Sequence, residues 1–185
     1  ELSSTPFIRQ SKSYAALASS LQREQKWSGF SVALAAVPRF IEAMPDGYEM
    51  PRSARDELEG IVYFPRMCDK IRKRNANTLH PEFLTNLGLG MDLWTCQFLG
   101  VDYHDLKREI LAGATDEQAL IWAREHGVTR PDYEKAWFTA YIKTRGFRDD
   151  LAHRLADRKK EDPKTDRDDI LTFMDYIEAD EGRSI

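Results

Sequence analysis

The residues able to do chemistry crowd into one stretch, PRMCDKIRKR at 65–74. Arg66, Lys70, Arg72, Lys73 and Arg74 supply positive charge, Asp69 a carboxylate and Cys68 a thiol. Pro65 suits the first position of a helix and biases Phe64 towards an extended conformation. A helix N-terminus is already partially positive, so a cation is disfavoured there. Arg66 breaks that rule, and broken local rules gather at functional sites. On a helix turning about 100° per residue, Cys68 and Ile71 share the apolar side, with Met67 on its flank. Arg66, Lys70 and Lys73 fall opposite. Asp69 is in reach of Lys73 at i+4 or Arg66 at i−3. Arg72 projects within about 40° of Cys68, where a guanidinium must snorkel out or find a buried carboxylate or an anion.

Two readings follow. In the first, the run is a solvated basic face with Arg66–Asp69 and Asp69–Lys73 surface pairs, and Arg72 bridges to Asp92 or to an aspartate of the last helix. In the second, free backbone N–H groups near Arg66 hold a carboxylate or phosphate, and Arg72 or Lys70 closes the grip. The second defines a ligand site of Arg66, Asp69, Lys70 and Arg72, with Asp92 and Trp122 as walls. His80, in the loop after the basic helix, is placed to reach it.

Any reaction there is expected to be acid–base or hydrolytic rather than redox, because no cofactor motif is present. NLGLGMD contains G-x-G but lacks the third glycine and the preceding strand of a dinucleotide loop. There is no G-x-S-x-G elbow. His80, His104, His126 and His153 show no H-x-x-x-H or H-E-x-x-H spacing, so no metal site is expected. His104 and Asp105 are adjacent on a helix and point about 100° apart, which does not suit a base with its orienting carboxylate. His126 reads as a C-terminal cap. Cys68 reads as a buried thiol rather than a nucleophile activated by Arg72. No residue is assigned a catalytic role. The net charge of −4 argues against a nucleic-acid partner, and of the aromatic residues only Tyr63 and Phe64 stand near the cations.

The elements that must position these groups are helices. The chain has 185 residues and 42% hydrophobic content, enough for one cored domain. Strand-like alternation is nearly missing, and only GIVYF at 60–64 reads as a short extended piece. Asp92 can cap a helix over 93–99 that Gly100 closes. Asp102 can cap 103–112, stapled by Val101 and Leu106 and stopped by Gly113. Thr115 and Gln118 form a capping-box pair for a helix to about Glu125, ended by Gly127. Pro131 opens a helix to Thr144. Residues 148–160 read as a polar helix. Thr165 or Asp166 opens a last one, with Ile170, Phe173, Met174 and Ile177 on one face. Trp94, Trp122 and Trp137 are expected in the core. SKSYAALASSLQREQ and SGFSVALAAVPRFIEAM read as two N-terminal helices, the second interrupted at Pro38. No apolar run is long enough for a membrane span. Two cysteines without a cluster point to reduced, buried thiols and a cytoplasmic location.

From Pro51 onward PRSARDELEGIVYFPRMCDKIR, FLGVDYHDL, LIWAREHG, KAWFTAYIKTRG and RDDILTFMDYIEAD follow in order. Over roughly 51–180 this order and spacing resembles the bacterial family described as domain of unknown function 5069. The resemblance implies a soluble bacterial protein and assigns no activity. Cys68 stands where the family pattern has an aliphatic residue, and NLGLGMD replaces a shorter approach to Asp92.

The expected architecture is all-α: a compact single-domain bundle of about seven or eight short helices over 46–185, with residues 1–45 as an N-terminal helical extension. Two functions follow. One is a protein that binds an anionic small molecule at the start of the 65–74 helix. The other is a non-enzymatic interaction module that pairs its N-terminal helices, 12–43, with a partner or a second copy. Neither uses nucleic acid, a membrane, a cofactor or a metal.

Overall fold

A computed structural model describes residues 47–185. The N-terminal helices expected at 12–43 lie outside the described residues. The described chain is mostly helical. It opens with a two-stranded hairpin, β1 (Glu57–Leu58) and β2 (Ile61–Val62), paired antiparallel with Glu57 opposite Val62. Glu59 and Gly60 between them both have positive φ, as a tight two-residue hairpin turn requires. The hairpin feeds α1 (Phe64–Asn75), which is followed by a 3-10 turn at Pro81–Asn86, α2 (Met91–Leu99), α3 (Tyr103–Leu111), α4 (Asp116–His126), α5 (Asp132–Thr144), α6 (Ala152–Lys159) and α7 (Phe173–Asp180). Seven α-helices and one 3-10 turn therefore stand where seven or eight short helices were expected.

Local chemistry explains most boundaries. The Asp102 side chain accepts from the His104 and Asp105 amides and starts α3. Thr115 and Gln118 close a reciprocal capping box on α4. The end of α4 passes so close to the end of α2 that a Cβ on Gly127 would strike the Leu99 carbonyl. That approach lets the Val128 amide donate to the same carbonyl at 2.8 Å.

Four expectations need correction. Asp92 does not cap α2. Gly90 does, and Asp92 lies inside the first turn, fully buried. The polar helix starts at Ala152 rather than 148, because the Asp149 carboxylate accepts from the Gly146 and Leu151 amides and shapes a turn in which Arg148 has positive φ. The last helix starts at Phe173, where Thr172 and Asp175 form a second capping box. Thr165 instead buries its hydroxyl, which donates to the Lys159 and Asp162 carbonyls. Trp137 is not in the core: it is 68% exposed.

The main core gathers Phe64, Met67, Ile71, Leu99, Leu106, Leu120 and Ile142. A smaller cluster of Leu155, Ile170, Tyr176 and Ala179 seats α7. Cys68 and Cys96 are free thiols in the main core. Burial pushes the Cys96 thiol up to about 12, so it stays protonated at neutral pH. Among the described residues no helix is long and apolar enough to cross a membrane.

Candidate functional site

The true span of α1 resolves half of the puzzle of its cations. Arg72, Lys73 and Arg74 occupy its last turn, where the helix dipole favours positive charge. Arg66 and Lys70 remain as exceptions. Both were expected on the solvated side, and both are only 3% exposed. A helical wheel cannot show that distant segments cover that side. Residues 50–54 and the end of α7 lie across it, and charged side chains bind them there.

Arg66 donates to the Arg52 carbonyl at 2.6 Å and forms a two-pronged ion pair with Glu181. Arg183 also reaches Glu181 and donates to the Pro51 carbonyl. Lys73 donates to the Met50 carbonyl at 2.7 Å and to Asp69 at 2.9 Å. Asp69 also accepts from the Arg52 amide at 2.8 Å, so its partner is Lys73 and not Arg66. Glu178, buried, accepts from the Ser53 hydroxyl and the Ala54 amide. An irregular segment has no ladder of its own, and these side chains satisfy its backbone. Burial works against the Arg66 charge. The hydrogen bonds and charge of Glu181 outweigh it and raise the pKa further.

Lys70 lies one turn along from Arg66. Its Nζ meets Asp92 Oδ1 at 2.6 Å and donates to the Tyr63 hydroxyl at 3.0 Å. Asp92 Oδ2 accepts from the Gly88 amide at 3.0 Å. Gly88 has positive φ, and a Cβ there would meet the Tyr103 ring at 2.8 Å, so glycine alone fits that approach. Burial lowers the Lys70 pKa, but Tyr63 and Asp92 raise it more, and the net shift is upward. Burial, then the Asp92 charge, raises the Tyr63 phenol. The shifts hold the lysine charged and the phenol neutral beside the Asp92 carboxyl group. Tyr63 holds a left-handed backbone at the N-cap, φ 72°.

Arg72 goes elsewhere. It pairs with Asp116 at 2.6 Å and donates to the Ala114 carbonyl at 2.9 Å, so its partner is not Asp92. The other Asp116 oxygen takes Arg52 at 2.9 Å. A shallow depression of about 400 Å3 opens here, lined by Arg72, Gly113, Ala114, Thr115, Asp116 and Glu117. His80 caps the 3-10 turn and packs edge-on to Phe83, whose ring lies beneath the Arg66 guanidinium at 5.8 Å. Trp122 stacks on His126 at 4.4 Å, six residues along α4 from Asp116. The structure thus brings Lys70 and Asp92 together, places Arg66 on the strap and sends Arg72 to α4. Sequence reasoning missed Arg52, Tyr63, Glu181 and Arg183. The PRSAR segment and the acidic closing segment carried that signal.

A second surface breaks rules in the opposite sense. The outward positions of α5 are Asp132, Tyr133, Ala136, Trp137, Ala140, Lys143 and Thr144, with Tyr141 half-exposed at the edge, and only two of these are charged. Tyr133 and Trp137 meet edge to face at 5.0 Å. The inward side is fixed on α2: Phe138 stacks on Phe98 at 4.2 Å, and Tyr141 meets Trp94 edge-on at 5.9 Å. Arg145, buried, lies over both the Trp94 and Tyr141 rings and pairs with Asp149 and Asp150.

Fold and strap together define a small, mostly helical domain framed by internal ion pairs. The chain belongs to the family described as domain of unknown function (DUF5069), whose model matches residues 48–183. That match runs from just before the strapped segment to Arg183, so it includes both ends of the strap. Comparison with curated proteins finds no match.

Proposed function

We propose that the chain is a non-enzymatic protein-interaction module whose docking face is the outward side of α5. The observation that carries this reading is the exposure of Trp137 and Tyr133, at 68% and 57%, on a helix whose other side is well packed. Tryptophan and tyrosine supply large contact area at little entropic cost and dominate binding hot spots. The basic stretch of α1 is the frame that holds the fold. A photoreactive residue at Ala140, in the middle of the face, tests this in cells that make the protein. A light-dependent protein adduct from Ala140, with none from a control at Asp157 on α6, is expected. No adduct above that control sinks the reading.

The anionic small-molecule reading is favoured by one observation, the depression beside Arg72. A phosphate or carboxylate would displace Asp116 from the guanidinium there and meet the first amides of α4. A thermal-shift series with phosphate, sulfate and carboxylated metabolites separates the two readings. A ligand at about a hundred times its dissociation constant adds roughly 2.7 kcal/mol, on the order of 5 to 10 °C, and Arg72→Ala removes the shift. No shift with any anion sinks it. The bacterial setting implied by the family resemblance and the cytoplasmic one expected from the cysteines suit either reading.

A further inference from the structure

We infer that the occupant of the α5 face is a second copy of this chain, crossing it antiparallel about a two-fold axis near Trp137. The inference rests on the reading that this face docks a protein, and three features of α5 select the partner.

The face has a spine of small residues. Ala136, Ala140 and Thr144 recur every four positions, all exposed, and such a row lets a second helix backbone approach closely. Tyr133 and Trp137 flank that spine. The middle of the face also maps onto itself. Reversing α5 about its middle exchanges Ala136 with Ala140 and leaves Trp137 close to the axis. A two-fold interface requires a patch complementary to itself, and a different partner does not.

The charges fit the same operation. Asp132 and Lys143 are the only charged outward positions, at opposite ends of α5. They lie eleven residues apart, three turns and about 20°, so they share one flank. A two-fold axis across the helix keeps each flank on its own side and reverses its direction. Asp132 of one copy then meets the partner's Lys143, and this happens twice. A parallel crossing would exchange the flanks and leave each Asp132 with no Lys143 opposite it. Asp132 is 98% exposed and Lys143 42% exposed, so both are placed as rim charges that set orientation. Within the chain Asp132 meets Lys135 at 2.9 Å and Lys143 meets Glu57 at 3.9 Å. The antiparallel crossing also opposes the two helix dipoles. A nucleic acid does not fit, since the face carries one cation and one anion.

The test is the mass of the full chain by sedimentation velocity from about 1 to about 100 µM, the range that reveals a weak homodimer. The wild type is expected to rise from monomer to dimer mass. Trp137→Asp and Trp137→Ser are expected to stay monomeric while keeping the wild-type helical circular dichroism. Asp132→Lys and Lys143→Asp each set like charges together twice and weaken the dimer about tenfold. Mixed in equal amounts, these two variants restore opposite charges at both contacts, and the dimer returns. A wild type that stays monomeric at every concentration overturns the inference. So does a dimer that survives Trp137→Asp, or a mixture no tighter than its components. A monomer whose Ala140 position still forms adducts with a different protein overturns the second copy and leaves the docking face standing. A monomer with no adduct overturns both.

Discussion

Helices α1 and α5 both violate the ordinary partition of residues, in opposite directions. α1 buries Arg66 and Lys70, and α5 exposes Tyr133 and Trp137. The difference lies in where the compensation is. Each buried cation of α1 has a carboxylate from elsewhere in the same chain, Glu181 for Arg66 and Asp92 for Lys70. Buried charge without a partner is too costly to persist, so those exceptions are explained once the pairs are seen. An exposed aromatic face costs the monomer little and gains it nothing. A violation balanced inside the chain reports on folding. One left open to solvent points to something outside it.

That contrast breaks most severely at Lys70. Asp92→Ala leaves a buried ammonium with only a phenol beside it and should cost about 3 to 5 kcal/mol. For a chain of this size that is on the order of 10 °C in Tm by calorimetry. Replacing both partners, Lys70→Met with Asp92→Leu, should recover most of the loss. A double variant as unstable as Asp92→Ala would show that the pair does more than balance its own charges. Glu181→Ala should come next, at roughly 2 to 4 kcal/mol, because it strands buried Arg66 while Arg183 can still reach water. Hydrogen exchange at the Arg52 and Ala54 amides, both held by carboxylates, should quicken with it.

High pH probes the same trio. Lys70 and Tyr63 both hold their protons more tightly in the folded chain than in the unfolded one. The folded state therefore binds more protons above the unfolded values, about 10, and stability falls as pH rises. Below that range the contribution is complete. Urea midpoints should hold steady to about pH 8 and then drop, first because the buried Cys96 thiol ionises only in the unfolded chain and then, above about 10, as Lys70 and Tyr63 add their share. Tyr63→Phe should flatten the part of the drop that the phenol supplies, and an unchanged profile would remove Tyr63 from this account.

Much of the fold was legible from residues 91–144, because caps and stops are local. Asp102, Thr115 with Gln118, Gly100 and Gly127 each act within a turn of where they sit. The periodicity of α1 gave its apolar side correctly, and Cys68 and Ile71 are buried there. The other side was misread because burial there depends on Glu181 and Arg52, 115 residues downstream and 14 upstream of Arg66. Spacing along one helix carries no information about such partners. Trp137 was misplaced by the general tendency of tryptophan to be buried, although KAWFTAYIKT offers no way to tell which aromatic faces in. Phe138 and Ile142 face in, and Trp137, one position from Phe138, turns outward.

Arg72 and Trp137 mark the small end of the scale. The Arg72–Asp116 pair is more than a third exposed at the arginine, so Arg72→Ala should cost about 0.5 to 1 kcal/mol. Trp137→Ser should shift the monomer by less than about 0.5 kcal/mol, since Trp137 is already 68% exposed. The reason is geometric. The packing of α5 on α2 runs through Phe138 and Tyr141, which meet Phe98 and Trp94. The measurement is chemical denaturation at about 1 µM, low enough to keep a weak dimer dissociated. The same pair of proteins compared at about 100 µM should differ more, because only the wild type gains stability from association. A large loss at the low concentration would move Trp137 into the folding ledger beside Asp92, and α5 would then resemble α1 after all.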